Sequence, residues 1–234
     1  MLTTEFSLEF DILYNSISSN AAPGIDEYEK SVFLTQAQED YVRDLAERFD
    51  SSEKARRELA NLVNSGVSST PLNYPSESIN QRSRFFNVND DVMYIVSEKV
   101  KLSSTDACLK NKETRVIPIR HDEYSVNIRN PFKKPNGEIS WRVDYKDLNS
   151  GKVVEIITVE NSNPSEYFYR YIKYPKPIIL EALPTETIRG LNVVTECELS
   201  ESLHKTILDK AVNMALATTG NPILQARTIL ERNV

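Results

Sequence analysis

The two histidines are the first candidates for acid/base or metal chemistry, because imidazole titrates near neutral pH and binds metals readily. His121 is followed directly by Asp122 and Glu123, whose side chains can bind metals or transfer protons. Side chains adjacent in sequence do not face one another, however, and no spaced metal-binding motif accompanies them. We therefore expect neither a metal site nor a catalytic role at His121.

His204 has hydroxyl and carboxyl groups close to it in sequence, a combination that would suit a hydrolase. Ser200, Glu201 and Ser202 precede it. A nucleophilic serine is usually presented by a sharp turn between a strand and a helix, and this stretch lacks such a turn. We expect a hydrogen-bonded or exposed helix histidine, and we predict that the chain is not an enzyme.

Cysteines and glycines give no sign of a metal, redox or nucleotide site. Cys108 and Cys197 lie far apart and have no CxxC or Cys/His neighbourhood, so both are expected to be reduced thiols. The six glycines form neither GxGxxG nor GxxxxGK[ST], the patterns that bind phosphates with backbone amides. We expect no cofactor.

Charge is distributed unevenly along the chain, whose formal net charge is −6. Residues 1–75 contain 13 acids and 6 bases, residues 76–198 contain 18 of each, and residues 199–234 contain 3 acids and 4 bases. This pattern opposes tight nucleic-acid binding, which needs clustered cations to displace counterions from phosphates. The short basic run at Lys133 and Lys134 is expected to be a solvated hairpin tip.

The N-terminal part, residues 1–75, has the spacing of amphipathic helices. A first helix capped by Thr3 or Thr4 is predicted to end near Ser18, and residues 26–63 read as a short helix followed by a helical hairpin. The hairpin helix is predicted to start at Thr35. Within residues 26–63, an apolar stripe at helical spacing consists of Leu34, Ala37, Tyr41, Leu45 and Phe49.

Residues 76–198 are rich in β-branched and aromatic residues and are predicted to form an antiparallel β domain. Tight-turn signals occur at Asn136-Gly137 and at 149–151. The predicted strands are residues 85–86, 92–102, 115–119, 139–145, 153–159 and 167–172. In the last strand Tyr167, Tyr169 and Tyr171 alternate, so their face either packs in the sheet or forms a subunit interface.

Residues 199–234 are predicted to form a closing helix and an extended tail. The helix carries two apolar stripes, so it should be covered on two sides and pack on the N-terminal helices. Residues 220–234 are too short to fold alone and are expected to dock on a partner. Their apolar residues are Ile223, Leu224, Ile229 and Leu230. The fold class is therefore α+β, a helical bundle from both chain ends with an inserted antiparallel sheet.

The N-terminus lacks the basic flank and apolar run of a secretion signal, and no stretch approaches the roughly 18 apolar residues that span a bilayer. We expect a soluble chain, made in the cytoplasm, with no membrane contact.

Several segments resemble virion neck proteins of crAss-like bacteriophages. They are residues 9–24, 28–38, 53–59, 130–132, 141–142, 196–204 and 211–212. The arrangement of helices, β insertion, closing helix and tail also resembles the wider tail-adaptor family of the head-to-tail connector.

The resemblance implies a homo-oligomeric ring, a dodecamer, stacked beneath the portal protein of a short-tailed phage and in contact with adjacent neck or tail rings. It implies a location in the virion, after assembly in the host cytoplasm, and transient, non-specific passage of viral DNA through the ring. The acidic candidates for the channel wall are Glu39, Asp40, Asp44 and Glu47. The alternative is a tail-associated binding or fibre-attachment module with the tyrosine-rich sheet as its contact face.

Overall fold

The computed structural model describes residues 1–17, 24–72, 79, 83–147 and 151–218. The chain divides into two compact units: unit 1 combines Met1–Leu62 with the chain from Tyr174 onward, and unit 2 is Val63–Lys173. Unit 1 is helical and unit 2 is built on a seven-stranded sheet, so the fold class is α+β as predicted. These units divide the chain earlier than the predicted boundaries at 75/76 and 198/199.

Unit 1 contains four of the five α-helices seen in the described residues, and a 3₁₀ turn at Ala60–Leu62. The helices are α1 (Thr3–Ile17), α2 (Glu27–Glu47), α3 (Glu53–Glu58) and α5 (Glu201–Thr218). α2 starts with a capping box, because Asp26 accepts from the Glu29 backbone amide while the Glu29 side chain accepts from the Asp26 amide.

The prediction of two helices within residues 26–49 is wrong, because α2 runs through Thr35 without interruption. The prediction that the next helix reaches Val63 is also wrong, because α3 ends at Glu58 and Val63 begins a strand. At the end of the described chain, α5 packs against both α1 and α2. Its two apolar stripes are buried except for the partly exposed Met214, and the core includes Phe6, Phe10, Leu34, Ile207, Leu208, Ala211 and Ala215.

Unit 2 is a seven-stranded sheet with the strand order β1-β7-β3-β4-β5-β6-β2. The strands are β1 (Val63–Ser68), β2 (Arg84–Asn87), β3 (Val92–Ser104), β4 (Glu113–Pro118), β5 (Ile139–Asp147), β6 (Gly151–Ile157) and β7 (Ser162–Lys173). The predicted purely antiparallel sheet needs correction, because β4 and β5 pair in parallel. The helix α4 (His121–Asn127) and a turn carry the chain back between these two strands, as a parallel connection requires.

The core of unit 2 lies on the sheet face that contains Val100, Leu102, Val154, Ile156 and Tyr167. A second cluster forms around Trp141, Val143 and Ile157. Both faces of β6 are buried from Val153 to Ile157, so the sheet curls enough to cover this strand on two sides. Neighbouring residues of β6 therefore belong to different clusters, Ile156 to the first and Ile157 to the second.

Candidate interaction surfaces and the cores that hold them

The tyrosines proposed as a subunit interface lie inside unit 2. Tyr167, Tyr169 and Tyr171 are 0%, 3% and 3% exposed. Their rings form a continuous row, with centroids 5.2 Å apart for the first pair and 5.5 Å apart for the second. Of the two explanations left open by the sequence, packing within the sheet is the one that their burial supports. In this conformation the chain itself covers the rings that a partner would need to contact.

Each tyrosine hydroxyl in this row has a polar partner. Tyr167 donates to Glu98 Oε2 at 2.7 Å, and Tyr169 accepts from the Asn89 backbone amide at 3.1 Å. Tyr171 accepts from Asn89 Nδ2 at 2.9 Å and donates to Asp91. Burial raises the pKa of Tyr167 well above its usual range, and Glu98 adds to the shift. The row is thus a neutral, hydrogen-bonded part of the core.

A buried ion pair lies beside the tyrosine row. Arg142 Nη1 donates to Glu98 Oε1 at 2.6 Å, and both side chains are almost fully buried. Arg142 Nε is 3.0 Å from Asp144 Oδ1, as an ion pair without hydrogen-bond geometry. Burial raises the pKa of Glu98, against the opposing effects of Arg142 and Tyr167. These contacts connect β3 and β7 to β5 across the intervening strand β4.

The strand β1 approaches β7 closely because it has no side chain at one position. Gly66 lies opposite Tyr169 in the register, and the tyrosine ring covers it. A Cβ added at Gly66 would lie 2.3 Å from Tyr169 Cζ. The sheet edge therefore depends on a glycine at this position.

Of the four acidic residues proposed for a channel wall, Glu39 is enclosed within unit 1. It is 7% exposed and forms an ion pair with Arg189. Burial raises its pKa, and Arg189 opposes the shift. Arg189 and Gly190 both have positive φ and form a tight turn, and the guanidinium lies 5.2 Å from the ring centroid of Tyr174. Glu39 therefore holds a loop in place.

The other three acidic residues have some solvent exposure. Asp40 lies 2.8 Å from Arg43 Nη1, and Asp44 lies 3.2 Å from Lys210 Nζ on α5. Glu47 is exposed at the C-terminal end of α2. Part of the negative charge that the sequence assigns to this helix is thus neutralised within the chain.

A row of polar side chains on α2 binds an extended segment, and sequence reasoning missed it. The Thr35 hydroxyl accepts from the Ile178 amide at 3.0 Å and donates to the Ile178 carbonyl at 3.3 Å. Ser31 Oγ accepts from the Leu180 amide at 3.0 Å, and Gln38 Nε2 donates to the Lys176 carbonyl at 2.8 Å. The sequence does contain a signal for this contact, because Ser31, Thr35 and Gln38 are polar residues at helical spacing within an apolar face.

The histidines have structural surroundings. His204 is buried and 5.3 Å from the Phe6 ring; its Nε2 lies 3.1 Å from the Leu199 carbonyl and its Nδ1 lies 2.9 Å from the Met1 amino group. Burial lowers the pKa of His204, so the neutral ring with the proton on Nε2 suits both contacts. His121 is exposed, and its Nε2 lies 3.0 Å from the Asp144 carbonyl.

The cysteines are both free. Cys108 is exposed, while Cys197 donates to Gln38 Oε1 at 3.1 Å and burial raises the pKa of its thiol to about 11. Within the described ranges, no group of three or more His, Cys, Asp or Glu side chains is placed to hold a metal ion. The described helices include none that combines the length and apolar character needed to cross a lipid bilayer.

The four most exposed large apolar side chains of the described residues lie on two surfaces, one on α1 and one at α4 and the turn that follows it. On α1, Leu8 is 65% exposed and Ile12 is 67% exposed, on the side opposite the buried Phe6 and Phe10. In unit 2, the turn after α4 presents Phe132 at 94% exposure. Apolar side chains that are exposed next to one another are typical of surfaces that contact other molecules, and Leu8 and Ile12 are one helical turn apart.

Comparison with known proteins identifies the family. The family model described as phage tail ring protein 3/4 matches residues 1–224. The chain belongs to this family. It is 35% identical over 229 residues to ring protein 4/5 of Bacteroides phage crAss001, with 93% of each chain covered. It is also 34% identical over 235 residues to ring protein 3 of the same phage, with 94% of this chain and 99% of the relative covered.

Family membership confirms the resemblance predicted from the sequence and makes the chain a bacteriophage ring protein. A structural family also supports the prediction that the chain is not an enzyme. Both exposed apolar surfaces, on α1 and after α4, lie within the matched range. The proposed docking residues Ile223, Leu224, Ile229 and Leu230 lie outside the described residues, and the last two also lie beyond the family match.

Proposed function

We propose that this chain is a structural protein of the virion that forms a homo-oligomeric ring in the head-to-tail connector of a short-tailed phage. The observation that carries the proposal is the match to a ring protein family over residues 1–224. The site geometry agrees with a structural role, because the polar groups described above are used in packing and in fixing loops. Each subunit contributes a helical unit and a sheet unit to the ring.

The ring is a dodecamer around a channel, with the portal protein and adjacent neck or tail rings as neighbours. Viral DNA passes through it transiently and without sequence-specific contacts. Asp40, Asp44 and Glu47 line the channel, since carboxylates that reach solvent repel the phosphate backbone and prevent adhesion. The buried Glu39 is not part of this wall.

Electron microscopy tests the ring directly. The purified full-length chain and the intact particle are imaged, and this chain is traced in the particle map. We expect closed rings with twelve subunits at the junction of head and tail. Density for this chain at another location, or as isolated monomers on the tail surface, would contradict the connector role.

The C-terminal residues 220–234 dock on an adjacent subunit or on the portal. Deleting them should leave a folded chain that no longer enters particles, because apolar tails of this kind gain their stability from a partner surface. Circular dichroism checks the fold, and quantification of the chain in purified particles checks incorporation. Normal incorporation of the truncated chain would overturn the docking role and leave the ring proposal intact.

A binding or fibre-attachment module was the alternative function, with the tyrosine-rich sheet as its contact face. The burial of Tyr167, Tyr169 and Tyr171 removes the surface on which that alternative depended.

A further inference from the structure

A rigid turn in unit 2 presents one aromatic ring to solvent. Asn130 Oδ1 accepts from the Phe132 backbone amide at 3.0 Å, and the Asn130 carbonyl accepts from the amides of Lys133 and Lys134 at 3.1 and 3.0 Å. Pro131 lies inside this turn and Pro135, which follows it, is buried. The turn is therefore built before any partner binds, which lowers the entropy cost of association.

The surface around this ring is basic. Arg129, Lys133 and Lys134 are exposed and form no ion pair within the described part of the chain. Val126, on the last turn of α4, is 70% exposed beside them. We call the surface of Val126, Arg129, Phe132, Lys133 and Lys134 the basic tip. An aromatic anchor surrounded by cations is the composition of an interface centre with a polar rim.

An oppositely charged surface of similar composition lies on α1. Leu8 and Ile12 are one turn apart, and the helical period places Glu5 and Glu9 beside them on the exposed side. Neither glutamate forms an ion pair in the ranges that the structure describes. We call the surface of Glu5, Leu8, Glu9 and Ile12 the acidic ridge. The opposite side of α1 packs in the core of unit 1, where Phe6 and Phe10 are buried.

We propose that the basic tip of one subunit binds the acidic ridge of the next copy of this chain. Phe132 packs between Leu8 and Ile12, and the tip cations pair with Glu5 and Glu9. The two surfaces complement each other in charge and in apolar content, and one chain carries both. Such a contact is head-to-tail, and a head-to-tail contact repeated by rotation closes into a ring. This inference rests on the proposed ring function and names the surfaces that would build it.

The test uses the purified full-length chain and measures self-association by size exclusion with light scattering, with circular dichroism as a check of folding. Phe132→Ser should weaken association about 30-fold, as loss of an interface anchor does. Val193→Ser, which alters another exposed apolar residue, is the matched control and should associate like the wild type.

Charge reversal separates this contact from a folding defect. Glu5→Lys with Glu9→Lys should weaken association, and so should Lys133→Glu with Lys134→Glu. Combining the four changes should restore association at least in part, because the pairs are again opposite in sign. Lys110→Glu with Lys205→Glu produces the same change in net charge as Lys133→Glu with Lys134→Glu, at exposed lysines that belong to neither surface, and should have no effect.

Three results would overturn the inference. The first is a Phe132→Ser chain that still forms rings like the wild type, and the second is a fourfold variant without recovery. The third is a wild-type chain that enters particles yet does not self-associate, which would assign the basic tip to a different ring protein. The first two results leave the proposed ring intact, and the third leaves the chain a component of the virion. A wild-type chain found neither in rings nor in particles would instead contradict the proposed function itself.

Discussion

Arg142 Nη1 lies 2.6 Å from Glu98 Oε1 in the interior of the sheet unit, with the two side chains 11% and 6% exposed. Removing one partner of such a pair leaves a charge without compensation in a low-dielectric surrounding. The stability of the sheet unit therefore requires both Arg142 and Glu98.

Arg142→Met should reduce the free energy of unfolding of unit 2 by about 3 kcal/mol, because Glu98 would stay buried without its cation. The lone tryptophan, Trp141, is buried in unit 2, so its fluorescence during urea unfolding follows this unit. Arg170→Met, at an exposed arginine of β7, is the control and should change little. A small effect at both positions would mean that water reaches Glu98.

Gly66→Ala should destabilise unit 2 by about 2 kcal/mol, since the new methyl group would overlap the Tyr169 ring. Urea unfolding followed by Trp141 fluorescence measures the loss, and Ser65→Ala on the same strand is the control. In a Tyr169→Ala background the cost of Gly66→Ala should largely disappear. An equal cost in both backgrounds would assign the effect to the backbone and not to the ring.

Thr35→Val should reduce the free energy of unfolding of unit 1 by about 2 kcal/mol, because the amide and carbonyl of Ile178 would both lose a buried partner. Far-UV circular dichroism during urea unfolding measures the loss of unfolding free energy. Hydrogen exchange at the Ile178 amide shows whether the loss arises at this contact. Thr206→Val, at an exposed position on α5, is the control. Unchanged exchange at Ile178 would show that the segment is held by its apolar contacts alone.

His204 should make unit 1 less stable as the pH falls. Its pKa in the folded chain is lowered from 6.5, so the unfolded chain binds more protons in the range just below that value. Stability is therefore complete above about pH 6.5 and decreases as the pH drops toward the folded pKa. The charged neighbours are the Met1 amino group, which disfavours protonation, and Glu201, which favours it. In His204→Gln, unfolding measured across this range should lose the slope; the same slope in both chains would assign it to other groups.

The sequence predicted α1, α5 and the strands β2 to β7 closely, because helical periodicity indicates the two helices and runs of β-branched and aromatic residues indicate the strands. It did not predict β1, whose residues are mostly polar and exposed at the sheet edge. Thr35 and Gln38 matched a helix-start signal, although their side chains bind Lys176 and Ile178. A local pattern cannot distinguish a cap from a contact with a segment far away in the chain.

Candidate site residues were predicted less well, for the same physical reason. Glu39 resembled its acidic neighbours in sequence, and its burial depends on Arg189, which is 150 residues away. The tyrosine alternation showed correctly that the three rings share one face. Whether that face is covered depends on how far the sheet curls, and Phe86 of the distant strand β2 packs against the Tyr167 ring.

The sheet unit begins at Val63 and ends at Lys173, and Val63 lies opposite Ile172 in the pairing of β1 with β7. Entry and exit of the chain are therefore neighbouring strands, a few ångströms apart. A domain whose two ends are adjacent can be inserted into another protein at a single surface position, because it does not force the two flanking segments of that protein apart. A lineage of phages can thus exchange the sheet unit of such a component by recombination at two codons, while the helical unit keeps its own sequence.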